Sequence, residues 1–183
     1  MKILKSIFFL LFVLVHISSA QKKNSVYVEL GGNAVFYSFN YDRIIQLSEK
    51  LKIAPRVGLM YLPLSDIKSN KTYGDFNIPL ELNLLYAKNS ESKNFGEFGV
   101  GLNLISMKNG YTIGPADEVV RNNSKLARVT TFRAGFRHQK PQGGLMYRIG
   151  LLVPILQDEF SEKRVGDDIF YRLYGGLSLG WTF

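Results

Sequence analysis

Tyr171-Arg-Leu-Tyr-Gly-Gly-Leu-Ser-Leu-Gly-Trp-Thr-Phe183 divides on a period of two. Leu173, Leu177, Leu179, Trp181 and Phe183 fall on one face; Arg172, Tyr174, Gly176, Ser178, Gly180 and Thr182 fall on the other. Successive side chains of a β-strand point to opposite faces, so this stretch reads as a strand with an apolar face backed by a small, polar one. Soluble sheets show that alternation too. Here the apolar face runs to the last residue and finishes in two aromatics. A strand that turns apolar side chains to lipid, polar ones to a lumen and rings to the interface has this pattern.

Working outward, the opposite end begins with Lys2 and Lys5, runs Ile7-Phe-Phe-Leu-Leu-Phe-Val-Leu-Val15, and reaches Ser18-Ser19-Ala20 before Gln21. A basic start, a short apolar run and small residues at a cleavage point describe a secretory signal peptide over 1–20. The run is short of the roughly 20 residues a membrane anchor needs. Residues 21–183 then form one domain. No later stretch is apolar enough for a spanning helix, and the abundance of Gly, Tyr and Phe with few helix-period stripes points to an all-β chain.

Removing the two signal lysines from 23 basic residues, against 15 acidic ones, leaves a formal charge of +6. The Lys and Arg residues are scattered apart from Lys22-Lys23, so nucleic acid is a poor partner and anionic lipid headgroups a better one. With no cysteine there is no disulfide, thiolate metal site or lipid-acylation site.

The same alternation recurs along the chain. Ser25–Gly31 is a short strand ending in the turn signal Gly31-Gly32-Asn33. Beyond it Val35, Tyr37, Phe39 and Tyr41 oppose Ser38, Asn40 and Asp42, so the apolar parity has changed and a turn or bulge must intervene. Pro55, Val57, Leu59 and Tyr61 oppose Arg56, Gly58 and Met60. Ile78, Leu80, Leu82, Leu84 and Tyr86 oppose Asn77, Glu81 and Asn83. The runs Phe95–Lys108, Arg128–His138 and Gly144–Ile155 repeat the pattern, which with the last stretch makes eight strands. Connections alternate in length: Gln46–Lys50, Lys88–Asn94 and Gln139–Gly143 are short, whereas Leu64–Asp75, Asn109–Lys125 and Gln157–Asp168 are longer and polar. Outer-membrane barrels have short periplasmic turns and longer outer loops. The prediction is an all-β, antiparallel up-and-down transmembrane β-barrel.

With these features together, the chain resembles small eight-stranded outer-membrane β-barrels of the OmpA-like transmembrane-domain kind, over nearly all of residues 21–183. In that family the Trp181-x-Phe183 ending is the signal read by the barrel-assembly machinery, and the resemblance assigns that role to Trp181 and Phe183 here. Ser178 stands where the signal often has glycine. Val26–Ile44 is similar to uncharacterised barrels of the same group and brings no activity with it. The resemblance implies residence in a Gram-negative outer membrane, with its lipids as partners, and a structural or recognition role through the long outer loops.

With apolar faces outward, the lumen receives Glu29, Arg56, Glu81, Glu97, Arg133, Arg137, Arg148 and Arg172. Eight strands enclose only enough space for side chains, and buried charges must pair, so the expectation is a polar plug. The alternative is a narrow, porin-like pore through the Arg and Glu side chains. A second alternative, a secreted lipocalin-like binding barrel, requires the faces inverted.

Enzymatic barrels of this class use a Ser and a His near the lipid face. His138 is the one histidine beyond the signal region and has no serine placed at its level, so no catalytic residue is expected. Gly166-Asp167-Asp168 and Asp117-Glu118 lack the spaced ligands of a calcium loop. No metal and no cofactor are expected. Tyr41, Tyr86, Phe98, Phe136, Tyr147, Trp181 and Phe183 are predicted near the periplasmic strand ends, as an interfacial girdle.

Overall fold

A computed structural model describes residues 22–66, 71–107, 111–113, 119–121, 125–157 and 173–183. The expected signal peptide lies outside these residues, as do Arg172 and the two carboxylate pairs at 117–118 and 167–168.

The strands are β1 (Asn24–Gly31), β2 (Tyr37–Arg43), β3 (Ile45–Gln46), β4 (Leu51–Asp66), β5 (Lys71–Tyr86), β6 (Asn94–Met107), β7 (Tyr111–Ile113), β8 (Val119–Arg121), β9 (Lys125–Gln139), β10 (Gly144–Gln157) and β11 (Tyr174–Thr182). Every pairing is antiparallel, and the order β2-β1-β11-β10-β9-β6-β5-β4-β3 closes through β2–β4. β2 and β3 are one stave interrupted at Ile44, both paired with β4. The result is a closed eight-stave barrel with no open edge around its waist. β1 has its own place in the wall, between β2 and β11.

At one end, the turn end, the connections are the short segments 47–50, 87–93 and 140–143; the opposite, loop end carries the others. Two expected loops differ from the reading of the sequence. Leu64–Asp75 is mostly a continued hairpin, with Leu64 opposite Tyr73 and Asp66 opposite Lys71. Polar, glycine-containing composition suggested a loop there, but backbone pairing is indifferent to side-chain polarity where neither face needs burial. Within Asn109–Lys125, β7 and β8 form a separate two-stranded ribbon.

The parity change after β1 is produced by a short 3-10 turn, η1 (Gly32–Ala34), which is buried rather than projecting outward. Gly31 and Gly32 take φ of 69° and 66°, a left-handed region open to glycine at little steric cost. Val35 follows at φ 75°, an uncommon conformation for a β-branched residue, and donates its N–H to Gly32 O at 3.0 Å. These angles turn the β1–β2 connection into the mouth of the barrel. Val35 itself is exposed and outside the strand expected for it.

Candidate functional site

The lumen is stacked in three storeys. At the turn end lies an apolar floor of Ile44, Ala54, Leu85, Ala87 and Phe95, all buried. Lys52 crosses it with Nζ 5.0 Å from the centre of the Phe95 ring and donates to Ser90 O at 2.9 Å.

Above the floor comes the charged storey. Each member sits at an inward position of its strand, which the two-residue period fixes once the neighbouring apolar residues face out. Glu81 on β5 lies opposite Arg56 on β4 in register, and Gly99 lies opposite both Asn83 and Arg133, leaving room for long side chains over it. Glu81 is the hub. Its carboxylate accepts from Arg56 Nη1 at 2.8 Å, Arg133 Nε at 3.1 Å and Arg148 Nη2 at 3.2 Å. Glu29 on β1 bridges Arg56 (2.5 Å) and Arg133 (2.7 Å), and accepts from Ser178 Oγ at 3.2 Å. Arg137 holds both oxygens of Asp42 at 2.8 Å and donates Nε to Gln139 Oε1 at 2.7 Å. Arg148 reaches Glu97 at 3.1 Å and donates Nη1 to the Tyr27 hydroxyl at 2.8 Å.

The third storey is η1. Asn33 Oδ1 accepts from Thr131 Oγ1 at 2.9 Å, its carbonyl accepts from Asn103 at 2.7 Å, and its Nδ2 donates to Leu80 O at 3.3 Å. The connection from the first hairpin is thereby tied to β5, β6 and β9 across the mouth. Gly32 rests against Glu29, where a Cβ would sit 2.1 Å from the carboxylate carbon.

Four arginines, Arg56, Arg133, Arg137 and Arg148, thus face four carboxylates, Glu29, Asp42, Glu81 and Glu97, with all eight residues buried. Balanced charge with multidentate geometry is what makes such burial tolerable. Seven of the eight residues expected in the lumen are brought together here; the eighth, Arg172, lies outside the described residues. The sequence puts Asp42 on the polar face of its strand and Asn33 in a turn signal, but assigns neither these two nor Tyr27 to the lumen network. Asp42 and Tyr27 share the inward parity of their strands, which was the available signal. Asn33 acts through a tertiary fold-back that no periodicity encodes.

The outer wall is the converse. Leu82, Val100, Phe132, Ile149, Leu179 and Trp181 are all exposed, among many other large apolar side chains. Leu82 is 55% exposed while Glu81 beside it is 5% exposed, so the faces are opposite to those of a soluble binding barrel. The seven expected girdle rings all point outward. His138 Nδ1 donates to Asn94 Oδ1 at 2.7 Å, and its ring stacks on Tyr147 with centres 4.8 Å apart. Set against known protein families, curated proteins and solved structures, the chain matches none.

Proposed function

We propose that this chain is a non-catalytic integral barrel of an outer membrane, of the OmpA-like kind, with a sealed lumen and a structural or loop-borne recognition role. The observation that carries this is the inside-out wall: charge enclosed, large apolar side chains exposed around the whole circumference. In water that surface far exceeds the apolar patch of an ordinary monomer. Its height also fits. Phe76 and Tyr61 ring one level and Tyr86 another, ten residues further along β5. Ten residues span about 33 Å of strand, or about 25 Å along the axis at a tilt of 35–45°. That is the height of a transmembrane barrel's apolar band.

In this reading the turn end faces the periplasm, assembly proceeds through the barrel-assembly machinery with Trp181 and Phe183 as its signal, and the loop end presents hairpins to an outer partner. Trp181 and Phe183 are both exposed on the wall, open to such reading. The test is twofold. The folded chain is expected to need detergent or lipid, to migrate faster unheated than heated, and to pass no discrete currents in a planar bilayer. Full solubility without detergent would overturn the membrane reading.

One observation favours a second reading, a narrow water or proton path. Buried polar atoms without a hydrogen-bonding protein partner run from the loop end (Asn77 Oδ1, Asn103 Oδ1) through Asn83 Oδ1 and Arg133 Nη1 to Gln139 Nε2 near the turn end. Reproducible conductance steps, lost in Arg133→Leu, would select it over the plug.

A further inference from the structure

Charge is distributed unevenly along the barrel. Among the described residues the charged storey of the lumen is balanced, four arginines against four carboxylates. The turn end carries Lys22, Lys23, Arg43, Lys50, Lys52, Lys88, Lys93 and Lys140 against only Glu49 and Glu91. Eight basic residues against two acidic ones give that end a formal excess of +6. Among the described residues, none of those eight cations is in an ion pair with a carboxylate.

From that rim a groove of about 720 Å³ rises on the outer wall over β1. The register explains it. Val26 lies between Tyr41 and Trp181, and Val28 between Phe39 and Leu179, so two small side chains form a floor and larger ones form banks on either side. Below the groove, Arg43 continues the outward face of Tyr41 and lies opposite Asn24 on one side, while Lys22, two residues before Asn24, is exposed on the other with its side chain lying over Gly143. Tyr41 donates its hydroxyl to Asn24 Oδ1 at 2.9 Å, which fixes the ring as one bank. A shallow apolar groove with two cations flanking its lower end, neither of them in an ion pair among the described residues, is complementary to an amphiphile with an anionic head.

We propose that this groove seats one acyl chain of an anionic phospholipid, its phosphate held by Arg43 and Lys22. The proposal rests on the membrane reading above. The apolar floor recruits the chain by burial, and the cations select charge, each near-surface Lys or Arg contributing about fivefold in affinity.

The experiment uses the full folded barrel in nanodiscs of phosphatidylcholine doped with phosphatidylglycerol, released into detergent and read by native mass spectrometry. One retained phosphatidylglycerol per barrel is expected. Arg43→Glu, which changes the foot by two charges, is expected to lower retention about 25-fold. Val28→Trp, which fills the floor from outside, is expected to lower it with the foot intact. Inorganic phosphate is not expected to displace the lipid. Equal retention of phosphatidylcholine, unchanged retention in Arg43→Glu, or displacement by phosphate would each overturn the lipid seat. A chain that fails to enter nanodiscs overturns the membrane reading and the seat together; one that enters and folds but shows no selectivity overturns the seat alone.

Discussion

The inner and outer walls are built from the same strands, one residue apart, and hold together for different reasons. Inside, Glu81 stabilises only because three arginines meet it; outside, Leu82 needs no particular partner. The inner wall is therefore specific and brittle. The outer wall is generic, and its energetics depend on the solvent around it. A water-filled environment would make the outer face a liability, whereas acyl chains would make it the main source of anchoring.

The largest expected effect comes from breaking the inner wall on one side only. Glu81→Ala leaves Arg56, Arg133 and Arg148 short of a carboxylate and is expected to cost about 3–5 kcal/mol, read by urea unfolding of the detergent-folded barrel. Asp42→Ala is expected to cost a similar amount by stranding Arg137. The double variant Asp42→Leu with Arg137→Met is expected to recover most of that loss, because a well-packed apolar pair carries no desolvation penalty. If the single and double variants lose equally, the bidentate pair is not what holds that storey.

Next in size is Leu82→Arg on the outer wall. Facing lipid near mid-height, it is expected to destabilise by about 2–4 kcal/mol in a bilayer. Facing water, it would stay within about 0.5 kcal/mol. This single substitution, measured by folding into vesicles, separates the two solvents. Gly32→Ala is expected to cost about 1–2 kcal/mol, since an alanine there is left-handed and its methyl meets the Glu29 carboxylate. The smallest effect is expected for Lys50→Gln on the exposed turn, within about 0.5 kcal/mol by the same urea assay.

How much was legible from sequence follows the same inner–outer divide. Strand faces of β4, β5, β6, β9, β10 and β11 could be read because one buried face forces a period of two, and Arg56, Glu81, Arg133 and Arg148 fell on the inward parity. Their partners could not be chosen that way. Which carboxylate meets which arginine depends on register around the closed wall, and Glu29 reaches Arg133 over a separation of 104 residues. Tyr27 escaped notice because an aromatic on a short strand reads as wall, although its hydroxyl serves Arg148. The β4–β5 hairpin escaped because lysine, aspartate and glycine at its tip imitate a loop. The inward turn at Gly32–Ala34 announced itself only as a parity change, without direction.

That turn has a consequence for assembly. Asn33 belongs to the first hairpin to emerge, yet its bonds go to Leu80, Asn103 and Thr131 on staves completed much later. Glu29, from the same hairpin, supplies a carboxylate to arginines of the fourth and ninth strands. An unclosed sheet would therefore hold stranded cations until its first and last strands met. Zipping the seam and neutralising the interior become a single cooperative event, so a half-wrapped intermediate has little to rest on.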